Sequence, residues 1–414
     1  MTQASVKVPV SVVVVSRDRP MALKRCILGL SQLQYSNFEV VVVADPDGIK
    51  AVSEFADLIK TVTFDEPNIS AARNVGINVA AGEIIAFIDD DAVPEPTWLT
   101  YLTQPFEQPK VGAVGGFVRG RNGISFQWKA RILDAQGHAT NLRVDETHAT
   151  ILTPQTGTAI KTEGTNMAVR RDVLVSLGGF DPAYAFYLDE TDLNMRLAGA
   201  GHLTAIAPLA QVHHGFAASV RRRDDRVPTD LFEIGASWAV FHRKFIAKPQ
   251  HAAHWERQLK SERHRALGHM ISGGLEPRQV RYLMRRLRDG YDTGRVRTLG
   301  KNELSSHASD AFKPFVFKPR KARVEMVGIR GRKAAREAAK TRVKNQQIVT
   351  LLILSPTALY HHVQFHMDGY WEQRGGVFGR ADRSERAFRL SSNTRRKRRE
   401  ISRIGAMRGK FDGK

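Results

Sequence analysis

Apolar and polar residues follow one another along the first third of the chain in blocks that predict alternating strands and helices. The strand blocks are nearly continuous runs of β-branched residues, which are typical of strands buried on both faces of a parallel sheet. The predicted strands cover 10–15, 40–43, 62–64 and 84–88, and the predicted helices cover 21–33 and 68–80. Asn68 or Ser70 can cap the second helix, and Gly82 follows its end. The alternation predicts an α/β fold: a doubly wound open sheet with helices on both faces.

The chain after this block divides into segments of different composition. Residues 111–160 contain short apolar runs separated by glycines, and no element is predicted there. The predicted units are a first domain at 8–215, a basic helical extension at 216–300, a small accessory module at 325–390 and a basic tail at 391–414, with a linker at about 298–325. The module contains one predicted strand, 348–354, and an aromatic and histidine-rich middle at 360–378 that serves either glycan or partner binding or simple packing.

Three of the predicted strands end in polar clusters. These clusters contain Ser16 and Asp18, then Asp45, and then the triplet Asp89–Asp91. In open α/β sheets, ligands bind beyond the carboxyl ends of the strands. The three clusters therefore predict a binding edge.

The triplet Asp89, Asp90 and Asp91 is the strongest candidate for a metal site. Adjacent carboxylates repel one another unless they are solvated or neutralised. Mg²⁺ and Mn²⁺ prefer oxygen ligands and accept carboxylates together with substrate phosphates. The alternative is a solvated acidic turn, or an N-cap for a helix that starts near Pro96. The position of the triplet after a buried strand, beside two other polar strand ends, favours the metal.

A second acidic cluster contains Asp189, Glu190 and Asp192. A carboxylate there can act as the general base that removes a proton from an attacking hydroxyl. The alternative is a capping box, in which Asp189 and Asp192 bind the first amides of the helix that follows. Both readings hold if one carboxylate caps the helix while its neighbour faces the cleft.

Other polar residues have both a functional and a structural interpretation. His213 and His214 can supply a nitrogen ligand or bind a phosphate, although such a pair is more often structural. Arg73 can neutralise a diphosphate, although most arginines on helices are only solvated. Trp98 fits the core better than a sugar-stacking platform, and Cys26 lies in an apolar stretch that indicates a buried structural thiol.

The charge of the chain points to anionic partners. The 63 Lys and Arg residues exceed the 42 Asp and Glu residues, which gives a formal net charge of +21. Residues 391–414 contain nine basic and two acidic residues, so this segment is either a disordered solubilising end or a peripheral contact with anionic lipid. The N-terminus lacks the layout of a signal peptide, and the longest apolar run is well short of the ~20 residues that span a bilayer. The cytoplasm, with possible contact at the inner face of the membrane, is therefore the expected location.

Taken together, these motifs resemble those of the family 2 glycosyltransferases, which are inverting enzymes of the GT-A fold. The resemblance covers about residues 8–215. Its most specific stretch runs through 68–77 and 81–91 to 98–99. A second matching stretch covers 165–171 and 178–181, and the last matches are 189–193 and 208–214. By this resemblance the first domain is a GT-A-type sheet, and the chain moves a sugar from a nucleotide sugar to a hydroxyl acceptor with Mn²⁺ or Mg²⁺ as cofactor.

The resemblance also implies roles for individual residues. Asp89 and Asp91 would match the family's Asp-x-Asp motif, with Asp90 secondary, and His214 falls where some members have a histidine near the metal. The implied donor-binding residues are Ser16, Asp18, Asp45, Arg73, Asp89, Asp90 and Asn166. The donor would be a UDP-, dTDP- or GDP-sugar and the acceptor a glycan or lipid-linked molecule of the cell surface; no nucleic acid is expected.

The chain departs from the family pattern at three positions. Members commonly have Glu-Asp at the catalytic pair, whereas this chain has Asp189-Glu190, so position indicates Glu190 as the base while chemistry permits either residue. Ala44 replaces an acid often found beside Asp45, and Arg17 stands where an aromatic or small residue is common. The altered pair leaves an inactive GT-A scaffold as an alternative, and the charge leaves a polyanion-binding protein. A nucleotidyltransferase is disfavoured because the first strand is not followed by a glycine-rich loop.

Overall fold

The first sheet contains the strands that the apolar runs predicted. The structure is a computed structural model that describes residues 7–215, 219–300, 304–317 and 320–409. Its strands are β1 Val10–Ser16, β2 Phe38–Ala44, β3 Lys60–Thr63, β4 Ile84–Asp89, β5 Ala92–Pro94, β6 Val111–Arg119, β7 Phe126–Trp128, β8 Arg131–Leu133, β9 Ala139–Asn141, β10 Thr150–Leu152, β11 Ala159–Lys161, β12 Met167–Arg170, β13 Leu203–His214, β14 Lys321–Gly328, β15 Gln347–Ser355, β16 His362–Phe365 and β17 Trp371–Gly376. Its helices are α1 Pro20–Leu30, α2 Pro46–Ala51, α3 Ile69–Val79, α4 Trp98–Thr103, α5 Arg171–Leu177, α6 Asp189–Gly199, α7 Phe232–Phe245, α8 His251–Ile271, α9 Pro277–Gly294, α10 Arg332–Lys344 and α11 Asn393–Arg408.

The main sheet has the strand order β10-β13-β6-β12-β4-β1-β2-β3, with β5 paired to β13 and β7 paired to β6. Strands β1 to β4 are parallel, whereas β12 runs antiparallel between β4 and β6. Alternate residues of β1 enter two separate cores: Val12 and Val14 pack on one face and Val13 packs on the other. Burial on both faces explains the continuous apolar runs. The predicted fold class, an open α/β sheet with a helical extension and a small C-terminal module, is confirmed.

Local signals place the first helices correctly, and one region is more regular than predicted. Helix α3 begins after Asn68, whose side chain accepts a hydrogen bond from the Ala71 amide at 3.1 Å. Residues 111–160, for which no element was expected, form β6 to β10, and β8 and β9 join β11 in a second sheet. Strands β7 to β10 have only three residues each, so the sequence pattern there is too short to show alternation.

The extension and the module pack as helices and a mixed sheet. Helices α7 and α9 pack together, and Ser237 on α7 donates a hydrogen bond to the Phe186 carbonyl of the first domain at 2.8 Å. The C-terminal sheet has the order β14-β15-β17-β16. Helix α10 covers one face through Ala339, and α11 covers the other through Ile404. Part of the predicted linker belongs to the core of the first domain, because Phe315 packs edge-on against Phe38 at 5.4 Å.

Residues 393–408 of the predicted basic tail form helix α11, so the alternative of a disordered end does not hold for that part. Helix α11 turns Arg396 and Arg408 into the protein, where both are almost fully buried. Arg403 pairs with Glu400 at 2.6 Å, which further reduces the free charge of the segment. Residues 410–414 of the predicted tail lie outside the described residues. Among the described helices, none has a long enough apolar stretch to cross a bilayer.

Part of the aromatic and histidine-rich middle of the module is buried, whereas Tyr360 is 51% exposed. Tyr370, Trp371 and His361 are buried, and Trp371 packs edge-on against Phe365 at 5.0 Å. The single cysteine, Cys26, is also buried in the core of the first domain, as predicted.

Candidate active site

The acidic triplet lies at the carboxyl end of the central strand β4. Asp89 is the last residue of β4, and the short strand β5 begins directly after Asp91. Thr97 occupies the N-cap position of α4, which starts at Trp98. The alternative in which the triplet caps this helix is therefore wrong, because a strand separates the two.

Asp89, Asp91 and His214 form a cluster with metal-ligand chemistry. One ligand atom from each lies within 4.8 Å of the others. His214 Nε2 is 3.1 Å from Asp91 Oδ1 and 3.9 Å from Asp89 Oδ2, and its Nδ1 is 3.0 Å from Gln127 Oε1. Two carboxylates and one imidazole suit Mn²⁺ or Mg²⁺ when substrate oxygens complete the shell. The residues present thus fit a divalent cation.

The histidine is brought to the carboxylates by pairing between β5 and β13. His214 lies opposite Ala92, and the Gly215 amide donates a hydrogen bond to the Asp91 carbonyl at 2.8 Å. Burial lowers the pKa of His214, but Asp91 and Asp89 outweigh that effect and raise it. The two carboxylates therefore stabilise a positive charge at His214.

Asp90 points away from this cluster into the protein. Its side chain is fully buried, and it accepts a hydrogen bond from Ser16 Oγ at 2.7 Å and pairs with Arg19 at 3.0 Å. Burial raises the pKa of Asp90 to about 7, although Arg19 opposes the shift. Asp90 and Ser16, both predicted to bind the donor, thus connect the ends of β1 and β4. Arg19 also lies 3.5 Å from Asp91, so it neutralises part of the triplet.

Asp45 shapes the loop after β1. Its Oδ1 accepts a hydrogen bond from the Gly48 amide at 2.8 Å and caps α2, while its Oδ2 accepts one from the Asp18 amide at 2.7 Å. Asp18 has a positive φ of 61°, and its side chain is 58% exposed. Asp45 therefore holds the strand-end loop, whereas the Asp18 carboxylate faces solvent at the mouth of the predicted nucleotide site.

Arg73 connects the two acidic clusters. It is buried on α3, its Nη1 contacts the Asp189 carboxylate, and its Nη2 is 3.5 Å from Asp89 Oδ1. A methyl group added to Gly164 would lie 2.7 Å from Arg73 Nη2, so a larger residue there would displace the guanidinium. Arg73 thus lies beside the triplet, and its charge is shared by two carboxylates.

Asp189 and Glu190 form a pair at the start of α6. Leu188 is the N-cap residue of this helix, and both Tyr187 and Leu188 have positive φ angles, of 73° and 66°. The capping-box interpretation is therefore wrong, because an apolar residue occupies the cap. The two consecutive positive φ angles directly before the pair are a strained backbone, and such strain often marks functional sites.

The environment separates the pKa values of the two carboxyl groups. Burial, with the neighbouring Glu190, raises the pKa of Asp189 to about 7 in spite of Arg73. For Glu190 burial acts in the same direction, but Lys161, at 2.7 Å, outweighs it and lowers the pKa to about 2. Near neutral pH, Glu190 is ionised, and Asp189 can hold a proton. The side chain of Glu190 is also the more exposed of the two, at 20% against 5%.

Two predicted site residues are placed where no substrate reaches them. Asp192 is fully buried between Arg196, at 2.7 Å, and Lys244, at 2.5 Å, which makes it a structural ion pair. Asn166 is fully buried; its Nδ2 donates to the Phe117 and Ala210 carbonyls, and its Oδ1 accepts a hydrogen bond from Trp98 Nε1 at 2.8 Å. Both polar atoms of the Asn166 amide are therefore bound by groups of the protein itself, and Trp98 is core as expected.

Sequence reasoning missed Lys161, Arg19 and Gln127. Each contacts a predicted site residue from another part of the chain. The polar run from Lys161 to Thr165, directly before a stretch that carries the family resemblance, was a signal for the first of them. Arg19 is one residue beyond a predicted donor loop, and Gln127 stands in the region without predicted elements.

Comparison with known proteins places this site in a family context. A family profile described as "Glycosyltransferase like family 2" matches residues 8–226. The O-antigen biosynthesis protein RfbC of Myxococcus xanthus is 30% identical over 234 residues, which are 53% of this chain and 18% of that protein. The glucosyl-dolichyl phosphate glucuronosyltransferase of Haloferax volcanii is 26% identical over 193 residues, which are 42% of this chain and 56% of that protein. The chain thus spans less than two thirds of the length of either relative.

Two solved structures share part of the architecture at low sequence identity. The mannosyltransferase PcManGT from Pyrobaculum calidifontis, solved with GDP-Man and Mn²⁺, has a TM-score of 0.42 and 15% identity, over 70% of this chain and 88% of that one. A crystal structure of GalNAc-T7 with UDP, GalNAc and Mn²⁺ has a TM-score of 0.42 and 16% identity, over 51% of this chain and 45% of that one.

Proposed function

The chain belongs to glycosyltransferase-like family 2, and we propose that it is an active, metal-dependent, inverting glycosyltransferase. It would move a sugar from a nucleotide-sugar donor to a hydroxyl acceptor. The observation that carries the proposal is the pair of acidic clusters joined by Arg73: Asp89 and Asp91 with His214 on one side, Asp189 with Glu190 on the other. Burying a charged side chain costs free energy of folding, and an inactive scaffold would have no need for the buried Arg73 guanidinium between two acidic clusters.

The first cluster handles the donor. A divalent cation held by Asp89, Asp91 and His214 would neutralise charge on the departing diphosphate. Asp18 and Asp45 form the loop at the neighbouring strand end, where the nucleoside would lie. Asp90 and Ser16 keep the ends of β1 and β4 together, so they act on the donor through the loop and not by contact.

The second cluster handles the acceptor. Glu190 would accept the proton of the acceptor hydroxyl. At the same time the oxygen of that hydroxyl would form a bond to the anomeric carbon of the donor, and the bond from this carbon to the diphosphate would break. A single displacement of this kind inverts the anomeric configuration. Glu190 is favoured over Asp189 because it is ionised and more exposed, whereas Asp189 is held by Arg73. Asp189 would then orient Arg73 and share a proton with the base.

The donor site is tested by ligand-induced stabilisation. A panel of UDP-, dTDP- and GDP-sugars is screened by thermal shift with and without Mn²⁺, and at least one should stabilise the chain only with the metal. Asp91→Asn should abolish that shift, because it removes a charged ligand. Asp57→Asn, which removes the same charge at an exposed position of the first domain, should keep it. If no nucleotide sugar stabilises the protein in a metal-dependent way, the enzyme assignment fails.

The base is tested with the donor identified in this way. Glu190→Gln should retain donor binding and lose transfer by about 10²- to 10⁴-fold, the range that general bases contribute. An equal loss in Asp189→Asn with little loss in Glu190→Gln would assign the base to Asp189 instead.

The acceptor is proposed from the relatives and the location from the sequence. RfbC is described as an O-antigen biosynthesis protein and the Haloferax enzyme as acting on a glucosyl-dolichyl phosphate. These names support a glycan or lipid-linked acceptor, and the location proposed from the sequence is the cytoplasm, with contact at the inner face of the membrane. The polyanion-binding alternative is less favoured, because Arg396, Arg403 and Arg408 of helix α11 form ion pairs within the protein.

A further inference from the structure

The last turn of helix α11 reaches from the C-terminal module into the first domain. The Arg408 guanidinium is 1% exposed and binds Glu95 through two hydrogen bonds, Nε to Oε2 at 2.8 Å and Nη2 to Oε1 at 2.9 Å. Its third nitrogen, Nη1, donates to Thr350 Oγ1 of β15 at 2.8 Å, and the guanidinium lies 4.2 Å from the Trp371 ring. Two parallel hydrogen bonds give such a pair a defined geometry. Arg408 is therefore fixed from both the module and the first domain.

Backbone contacts hold the same turn of the helix in place. The Thr97 amide donates to the Met407 carbonyl at 3.0 Å, and Gln34 Nε2 donates to the Arg408 carbonyl at 3.1 Å. These groups belong to the segments around α1 and α4. The contact is thus continuous from the helix backbone to the guanidinium.

Glu95 lies at the end of the ladder that carries two of the metal-site residues. It directly follows β5, and Asp91 directly precedes that strand. On the facing strand β13, His213 Nε2 is 2.8 Å from Glu95 Oε1, and His214 is the next residue. The Glu95 carboxylate therefore ties the ends of β5 and β13 together. The distance between Asp91 and His214 depends on the register of these same strands.

We propose that Arg408 is a positioning residue for the metal site, which it controls by holding Glu95 and His213 and thereby the β5–β13 ladder. The inference rests on the proposed function, since it assumes that Asp89, Asp91 and His214 bind a cation. It gives the C-terminal module a role in donor binding that the family match, which ends at residue 226, does not cover. Groups behind metal ligands commonly change metal affinity by about 10- to 100-fold when they are removed.

The test measures Mn²⁺ binding to the full chain by electron paramagnetic resonance, in which the signal of free Mn²⁺ decreases on binding. Arg408→Met should weaken the affinity by about 10-fold. Arg408→Lys, which keeps the charge but loses the paired hydrogen bonds, should fall between this variant and the unmodified chain. Arg398→Met is the matched control, because it removes an exposed arginine from the same helix; it should bind Mn²⁺ unchanged.

A further variant separates positioning from loss of folding. Arg408→Met leaves the Glu95 charge buried and uncompensated, whereas Glu95→Gln/Arg408→Met leaves no such charge. The double variant should therefore recover thermal stability while its Mn²⁺ affinity stays low. Affinity equal to that of the unmodified chain, in either folded variant, would overturn the inference. If the unmodified chain itself binds no Mn²⁺, the proposed metal site fails as well, which distinguishes the two failures.

Discussion

A variant of Asp192 tests whether a carboxylate close to the proposed base is structural or catalytic. Asp192 lies in the same helical turn as Glu190. Its side chain is fully buried and pairs with Arg196 at 2.7 Å and Lys244 at 2.5 Å. Asp192→Asn keeps the shape of the side chain and removes its charge. The two cations then lose a buried partner, while the Glu190 carboxylate keeps its own contact with Lys161.

The expected loss of folding free energy in Asp192→Asn depends on the partners that Arg196 and Lys244 keep. Removing one partner of a buried ion pair costs about 3 to 5 kcal/mol. Lys244 still has Asp181 at 2.9 Å, and Arg196 still donates to the carbonyls of Leu177 and Gly179. We therefore expect the lower end, about 3 kcal/mol. For a domain of this size that corresponds to a fall in Tm of roughly 6 to 12 °C.

The assay is differential scanning calorimetry, followed by transfer kinetics well below the unfolding temperature. Asp57→Asn, an exposed aspartate in the same domain, should shift Tm little. Transfer by Asp192→Asn should remain close to that of the unmodified chain. An unchanged Tm together with a loss of about 10²-fold or more, the size of a general-base effect, would refute the structural role and restore Asp192 as a catalytic candidate.

Three further outcomes follow from the site. The kcat/KM of transfer should rise as the pH increases through about 7, the pKa of Asp189, because the proton that Asp189 shares with Glu190 is lost there. Asp189→Asn should remove this inflection from the pH profile. Gly164→Ala should lower kcat by up to about 10²-fold by displacing Arg73, whereas Gly199→Ala, which meets no atom within 4 Å, should leave kcat unchanged; equal rates for both variants would exclude this displacement. Chelation with EDTA should abolish transfer and added Mn²⁺ should restore it, and transfer that persists after exhaustive chelation would argue against a metal-dependent reaction.

The sequence was informative where a local pattern decides the structure. Burial on both faces requires apolar residues at consecutive positions, so β1, β2 and β4 are visible as runs. The sequence was less informative about short strands such as β8 and β9. Each has three residues, which are too few to show the alternation of apolar and polar positions. The sequence also misjudged the start of α6, because an apolar residue, Leu188, occupies the N-cap there with a positive φ that the sequence pattern does not show.

The sequence by itself determined the fold class, the family, and the placement of the triplet at a strand end. Only the tertiary structure decided which partner each acid contacts. Asp91 faces His214, Asp90 turns inward to Ser16, and Asp192 pairs with Lys244. It also brought Arg73 to Asp189 across 116 residues, and Arg408 to Glu95 across 313. The reason is physical: strand and helix patterns arise from neighbours in sequence, whereas the direction and charge partners of a side chain are set by residues far away in the chain.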